Sequence, residues 1–292
     1  MRFQITLIPD YLCTVRTMKA TIISVVWLFC STYGFSSNNK SLNASSSEKN
    51  ELRFTKNRGQ LINQNRVPRN DIQFYSILGK YRMFLKNEGV SYELIRSVAV
   101  DSVNHSYEIS RIDVSWLNSN ASKEIIAEKV RPGVENFYLD HCPSGIIDVH
   151  SFAEIYYRNV YDSIDVRWYE KNDFVEYDFI VHPYADVSQI QWTVSGADSM
   201  YINEAGDLIV QTSVGTMVES KPIAFQDDHK VEASWKIRDS IISFHIGSYD
   251  ASRTLLIDPI VQIWGSYYGG VGDDRINSSA MDHNGGMYVT GE

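Results

Sequence analysis

The chain has 292 residues, of which 43% are apolar and 12% aromatic, enough for one large or two medium domains with apolar cores. This composition excludes a fully disordered chain, and the glycine and proline content excludes a collagen-like one. A formal net charge of −9 argues against nucleic-acid binding through a basic surface, so we expect no nucleic-acid partner.

Residues 1–34 have the order of a secretory signal peptide. Met18 and Lys19 begin it, an uncharged apolar run follows from residue 20 to 29, and small or polar residues lead to Gly34. The apolar run is only about ten residues, which is too short to cross a bilayer comfortably. We therefore expect cleavage near Gly34 and no membrane span afterwards. An uncleaved anchor and a lipid anchor on Cys30 are the alternatives.

Residues 35–50 are rich in serine and asparagine and predict a flexible leader. Residues 51–260 then alternate short β-prone runs with turn residues, which is typical of an all-β antiparallel sandwich- or barrel-like domain. The clearest predicted strands are Asp71–Leu78, Tyr81–Lys86, Val90–Ile95 and Ser110–Leu117. One segment, Ser122–Val130, fits a short helix and a strand equally well.

A hairpin with a turn at Lys171–Asp173 is the sharpest local prediction. Two apolar triplets alternate along its strands and should share a buried face: Ile164, Val166 and Trp168, then Val175, Tyr177 and Phe179. Pairing Trp168 with Val175 also places Arg167 opposite Glu176. The same register places Asp165 opposite Asp178, a repulsion that a different register or an intervening cation would relieve.

The composition changes after residue 260, where glycine becomes frequent. Residues 264–292 resemble one unit of the bacterial SBBP β-propeller repeat. The matching positions are Tyr267–Gly270, Gly272–Asp274, Asp282, Gly285 and Tyr288–Gly291, while Gly286 replaces the usual asparagine. We therefore expect residues 261–292 to be an incomplete propeller blade, with further repeats after Glu292.

The preceding region resembles the uncharacterised β-rich domain DUF7948. Its cues are Asn57–Gln60, Asn136–Tyr138, Glu176–Val181 and Leu256–Pro259. The resemblance implies a bacterial protein that is secreted or displayed at the cell surface. It brings no known catalytic residue.

Asp165, Glu176 and Asp178 are the candidate catalytic carboxylates. Two carboxylates held roughly 5–9 Å apart can hydrolyse glycosidic bonds. The plainer interpretation is a solvated face with a cross-strand ion pair, and a bound cation is a third.

Asp273, Asp274, Asp282 and Asn284 are the candidate calcium ligands because they offer oxygen atoms in two turns. Aspartate and asparagine are also the ordinary residues of such turns, so calcium is the weaker alternative to a chain without cofactors. The seven histidines lack zinc-site spacing, and Cys142 is the one cysteine beyond the signal segment.

The first hypothesis is therefore a non-enzymatic secreted or surface module that precedes a propeller and binds protein or glycan. The alternative is a secreted glycan hydrolase that uses the carboxylates. A concave pocket shared by those carboxylates would favour the hydrolase. The sequence leaves the oligomeric state open.

Overall fold

The computed structural model describes residues 53–78, 81–99, 105–171, 174–259, 261–263, 276–281 and 287–291. Within these ranges the chain forms 23 strands and no α-helix, and its helical geometry is limited to a 3₁₀ turn at Val187–Gln189. The predicted all-β class is confirmed. The predicted signal peptide and leader lie outside the described residues.

The strands, in chain order, are β1 (Phe54–Lys56), β2 (Ile72–Leu78), β3 (Tyr81–Lys86), β4 (Gly89–Ala99), β5 (His105–Trp116), β6 (Glu124–Val130), β7 (Glu135–Leu139), β8 (Cys142–Val149), β9 (Ser151–Tyr161), β10 (Ile164–Lys171), β11 (Phe174–Val181) and β12 (Gln191–Ser195). They continue as β13 (Ser199–Ile202), β14 (Leu208–Gln211), β15 (Thr216–Glu219), β16 (Ile223–Gln226), β17 (His229–Val231), β18 (Ala233–Arg238), β19 (Ile241–Ile246), β20 (Leu255–Asp258), β21 (Val261–Ile263), β22 (Ile276–Met281) and β23 (Met287–Gly291). The segment that fitted helix or strand is therefore the strand β6.

Fifteen strands form one antiparallel sheet that curls into a near-barrel. Its hydrogen-bonded path runs β17-β16-β20-β11-β10-β9-β1-β2-β3-β4-β5-β12-β19-β18, and β6 adds to β9 beside this path. The two ends of the path, β17 and β18, are separated in sequence by Glu232 alone. Because one residue spans so short a distance, the sheet must bring its ends together. The contact between β16 and β18 agrees with this closure.

The strand β9 changes partner along its length, because it pairs with β1 near its start and with β10 further along. Ser151 pairs with Thr55 of β1, whereas Glu154 pairs with Tyr169 of β10. The side chains of Thr55 and Ser151 also hydrogen-bond to each other, with their oxygens 3.0 Å apart. This pairing links the amino-terminal meander β1–β5 to the predicted hairpin, β10–β11.

The main core lies inside the curl and follows the two-residue period of the strands. Val90 pairs with Val114 and Trp116 pairs with Trp192, and all four side chains are buried on the inner face. Aromatic rings dominate this core, as the edge-on contact of Trp192 with Trp235 at 5.8 Å between centroids illustrates.

A second sheet, ordered β13-β14-β15-β21, packs one face against this core. Leu208, Val210 and Met217 supply its buried apolar side chains. The strand β21 follows directly after residue 260, and its Val261 pairs with Glu219 of β15. The remaining carboxyl-terminal strands, β22 and β23, pair with each other. A propeller blade in this region stays a prediction.

A smaller apolar cluster lies on the outer side of the meander, and a polar turn covers it. The cluster contains Leu61, Ile72, Tyr75 and Phe84. The amide of Asn57 donates to the carbonyls of Arg69 and Ile72, at 2.8 and 2.9 Å. The buried amide of Gln60 donates to the carbonyl of Lys56 at 2.7 Å. These bonds give the Asn57–Gln60 motif a structural role, because they stabilise this turn.

Candidate functional site

The hairpin β10–β11 carries the predicted carboxylates, but its register differs from the predicted one by two residues. Trp168 pairs with Tyr177, and Arg167 pairs with Asp178 rather than with Glu176. The predicted pairing of Trp168 with Val175 is therefore wrong. The observed register places a cation opposite Asp178 and removes the repulsion that the predicted register required. The two apolar triplets are buried, as expected.

The structure brings Glu176 and Asp178 together around one tyrosine hydroxyl. Tyr169 Oη lies 3.2 Å from Glu176 Oε2 and 3.1 Å from Asp178 Oδ1. A phenol has one proton, so it donates to one carboxylate at a time. Burial, followed in effect by the nearby carboxylates of Asp178 and Asp258, raises the pKa of Tyr169, which therefore stays a hydrogen-bond donor.

Basic side chains cover this carboxylate pair on the solvent side. Lys171 Nζ lies 2.8 Å from Glu176 Oε2, and Arg167 Nη1 lies 3.8 Å from Asp178 Oδ2. The carboxylate side chains are only 5% and 4% exposed, against 46% for Lys171. The interpretation of this face as solvated is therefore wrong, because the acids lie beneath the cations.

Burial also changes the acidity of two of these carboxylates. Burial, aided by the neighbouring carboxylate of Asp258, raises the pKa of Asp178 to about 6. Burial likewise raises the pKa of Asp258, while Lys171 lowers it in part. Lys171 Nζ lies 3.8 Å from Asp258 Oδ2. Sequence reasoning missed Asp258 because β20 meets this face only through the sheet order β10-β11-β20. It also missed Tyr169, although the two-residue period places Tyr169 on the same face of β10 as Arg167.

Asp165 does not join this cluster. It pairs with Ile180, and its carboxylate accepts from Arg158 Nη1 at 2.6 Å and from the backbone N–H of Asn159 at 2.7 Å. His182 Nε2 lies 2.9 Å from the same carboxylate. Burial raises the pKa of Asp165, but these hydrogen bonds together lower it below its usual value. Three predicted candidates are thus one pair and one separate ion-paired residue.

Glu154 extends the same polar face on β9. Its Oε1 accepts from Lys129 Nζ at 2.5 Å and from Arg167 Nη2 at 2.8 Å. The guanidinium of Arg167 also stacks over the ring of Tyr169, with its carbon 4.5 Å from the ring centroid. Arg167 therefore binds two buried carboxylates, Glu154 and Asp178, and shields Tyr169 from solvent.

A narrow cavity lies elsewhere, inside the curled sheet where β15 approaches it. The cavity is lined by Val90, Tyr92, Val114, Trp116, Val166, Trp168, Tyr177, Phe179, Trp192 and Glu219. None of the three predicted carboxylates lines it. Glu219 accepts from the hydroxyl of Tyr177 at 2.8 Å, and burial raises the pKa of Glu219 to about 7. The sequence signal for this residue was its two-residue spacing from the buried Met217.

The metal prediction falls outside the described residues. Asp273, Asp274, Asp282 and Asn284 all lie there, so the calcium alternative stays a prediction. In the part of the chain that the structure covers, no group of three or more histidine, cysteine, aspartate or glutamate side chains has the arrangement of a metal site. In the same part, no helix is long and apolar enough to cross a membrane.

Comparison with known proteins gives one family match, over residues 54–260, to the family described as "Domain of unknown function (DUF7948)". No curated protein and no solved structure matches the chain. The matched segment runs from β1 to the end of β20 and so includes the curled sheet, the cavity and the polar face of β10–β11. Since it covers more than half of the 292 residues, the chain belongs to the DUF7948 family.

Proposed function

We propose that this chain is a non-enzymatic binding module of a secreted or cell-surface bacterial protein, which stands before a β-propeller and contacts protein or glycan. The signal-like segment of residues 1–34 and the repeat-like segment of residues 264–292 support the location and the neighbour. The burial of the carboxylate pair, Glu176 and Asp178, supports a non-enzymatic role.

Accessibility is the observation that carries this proposal. A glycosidase needs both carboxylates in a cleft that admits a sugar ring between them. Glu176 and Asp178 instead lie under Lys171 and Arg167, and the cavity inside the sheet is lined by other residues. Their chemistry fits a buried ion-pair network that holds β10, β11 and β20 in register.

The hairpin β7–β8 offers a surface for contact with a partner. Phe137 and Val149 are fully buried on its inner side. Tyr138 and Ile147 are about half exposed on its outer side, and the nearby Val134 is similarly exposed. Exposed aromatic and aliphatic side chains that lie close together mark interaction sites more often than isolated ones do.

One experiment separates the module from the hydrolase. The purified chain is incubated with a panel of bacterial and plant polysaccharides, and the release of reducing ends is measured. A matched double variant, Glu176→Gln with Asp178→Asn, is measured alongside it. We expect no release above the level of the double variant. Release by the unmodified chain that disappears in the folded double variant would establish the hydrolase instead.

The binding role has its own readout on the same preparations. Retention of the chain on insoluble polysaccharide or on whole bacterial cells is measured by sedimentation. We expect retention to fall when Tyr138 and Ile147 are both replaced by serine. Tyr184→Ser is the matched control, because Tyr184 is 79% exposed but far along the chain from β7–β8. Equal retention of both variants would place the contact elsewhere.

A further inference from the structure

The cavity inside the curled sheet is narrow. Side chains from β4, β5, β10, β11 and β12 form its walls, and Glu219 of β15 enters from the four-stranded sheet. Its interior has room for about one water molecule, which is too little for a sugar, a nucleotide or a lipid chain.

The largely apolar lining also contains polar groups, among them those of Glu219, Tyr92, Tyr177 and Trp168. The carboxylate of Glu219 accepts one hydrogen bond, from Tyr177 Oη. The indole nitrogen of Trp168 is buried, and no group among the described residues accepts its hydrogen bond. Leaving a buried donor unpaired destabilises the fold, so such groups are normally satisfied by protein or by internal water.

We propose that this cavity is a binding site for one water molecule, which accepts a hydrogen bond from Trp168 Nε1 and bonds to the carboxyl group of Glu219. Trp168 and Tyr177 pair across β10 and β11, with ring centroids 4.8 Å apart. The hydroxyl of Tyr177 reaches Glu219, and all three side chains line the cavity.

The chemistry of the lining selects water over a cation of similar size. A metal ion or an ammonium ion would pair with Glu219, but neither can accept the hydrogen of Trp168 Nε1. A water molecule donates to an ionised carboxylate and accepts from a protonated one, and in both cases it keeps a lone pair for the indole. It would also link β10 of the large sheet to β15 of the four-stranded sheet.

Magnetisation transfer from water to the indole protons tests the site in the intact chain. The chain contains six tryptophans, and Trp168→Phe assigns the signal of Trp168. Rotating-frame spectra separate dipolar transfer from proton exchange by sign. We expect a dipolar water signal at the indole proton of Trp168. Trp235 is an internal control, because its indole donates to the carbonyl of Ser220 at 3.1 Å and should show none.

Two variants of Glu219 then test the carboxyl side of the site. Glu219→Gln keeps a polar partner and should keep the water signal at Trp168. Glu219→Leu removes that partner and should abolish the signal, while an unchanged Trp235 shift reports that the fold persists. No water signal at Trp168 in the unmodified chain would overturn the proposal, whatever the variants do. A signal that survives Glu219→Leu would overturn the role of Glu219.

Discussion

Tyr177 donates from its hydroxyl to the carboxylate of Glu219 at 2.8 Å, and this bond joins two different sheets. Tyr177 belongs to β11 of the large sheet, whereas Glu219 is the last residue of β15 in the four-stranded sheet. Next to it, the indole of Trp235 donates to the carbonyl of Ser220. Two hydrogen bonds at consecutive residues, one buried and one partly buried, therefore fix how the smaller sheet covers the core.

Glu219→Gln should stabilise the protein at high pH. Burial raises the pKa of Glu219 from its usual 4.5 to about 7, so the folded chain holds a proton that the unfolded chain has already lost. Stability from this group is complete below pH 4.5 and falls as the pH rises toward 7. The glutamine variant cannot ionise. We expect its free energy of unfolding to exceed that of the unmodified chain by roughly 2–3 kcal/mol at pH 8 and by less than about 1 kcal/mol at pH 5.

Urea unfolding at the two pH values measures this difference. Glu204→Gln is the matched control, because Glu204 is an exposed residue of the turn between β13 and β14. It should leave the free energy of unfolding nearly unchanged at both pH values. A Glu219→Gln variant that is less stable at pH 8 would mean that the carboxylate form is favoured in the folded chain.

Arg167→Met should destabilise the protein more than the loss of a partly exposed side chain usually does. Its guanidinium binds Glu154 and faces Asp178, and both carboxylates are buried. Removing one partner of a buried ion pair leaves a charge without compensation, and we expect a cost of about 2–4 kcal/mol. Arg238→Met is the control, because Arg238 is 92% exposed beside Asp239 and its loss should cost under about 0.5 kcal/mol. If chemical unfolding showed the same loss of free energy for both substitutions, the ion pairs of Arg167 with Glu154 and Asp178 would be contradicted.

Trp168→Ala should cost about 3–5 kcal/mol, as expected for a large side chain removed from a packed core. Trp168 is 2% exposed and contacts the ring of Tyr177. Tyr184→Ala removes an aromatic ring that is mostly exposed, and thermal and urea unfolding should detect little change. If the two substitutions had similar effects, the inner face of β10 would be misassigned.

Gly89→Ala should be far more damaging than Gly133→Ala, although both glycines have a positive φ. Gly89 has φ +146°, and a Cβ there would lie 2.0 Å from the carbonyl oxygen of Val114 on β5. Gly133 has φ +86° and open space around the same position. We expect a loss of more than about 3 kcal/mol for Gly89→Ala and about 1 kcal/mol for Gly133→Ala. Comparable unfolding midpoints would argue against the close β4–β5 approach.

Local sequence patterns predicted several strands almost to the residue. Tyr81–Lys86 coincides with β3, and the strand predicted at Asp71–Leu78 differs from β2 by one residue. Both are apolar, β-prone runs bounded by turn residues, so short-range physics determines them. The hairpin register was missed because a shift of two residues keeps the same faces, and periodicity cannot detect it. Charge could detect it, since the predicted register opposes Asp165 to Asp178, whereas the observed register opposes Arg167 to Asp178.

The candidate site depended on contacts that sequence spacing does not encode. Asp258 reaches the carboxylate pair because β20 pairs with β11, although Asp258 lies 80 positions after Asp178 in the chain. Glu219 meets Tyr177 only because a second sheet covers the first. Neither relationship follows from local propensity, since both are set by the order in which distant strands pair.

The single residue between β17 and β18 also bears on the solubility of the fold. An open sheet exposes two rows of unpaired backbone groups, which invite strands from other molecules. At the two ends of the path, the unpaired backbone groups belong to β17 and β18. The strand β17 has only three residues, and β18 exposes Lys236 and ends at Arg238. A short edge and charged edge residues both oppose strand addition by another copy. The curl of the sheet thus makes these two ends of the path poor templates for a strand of another copy.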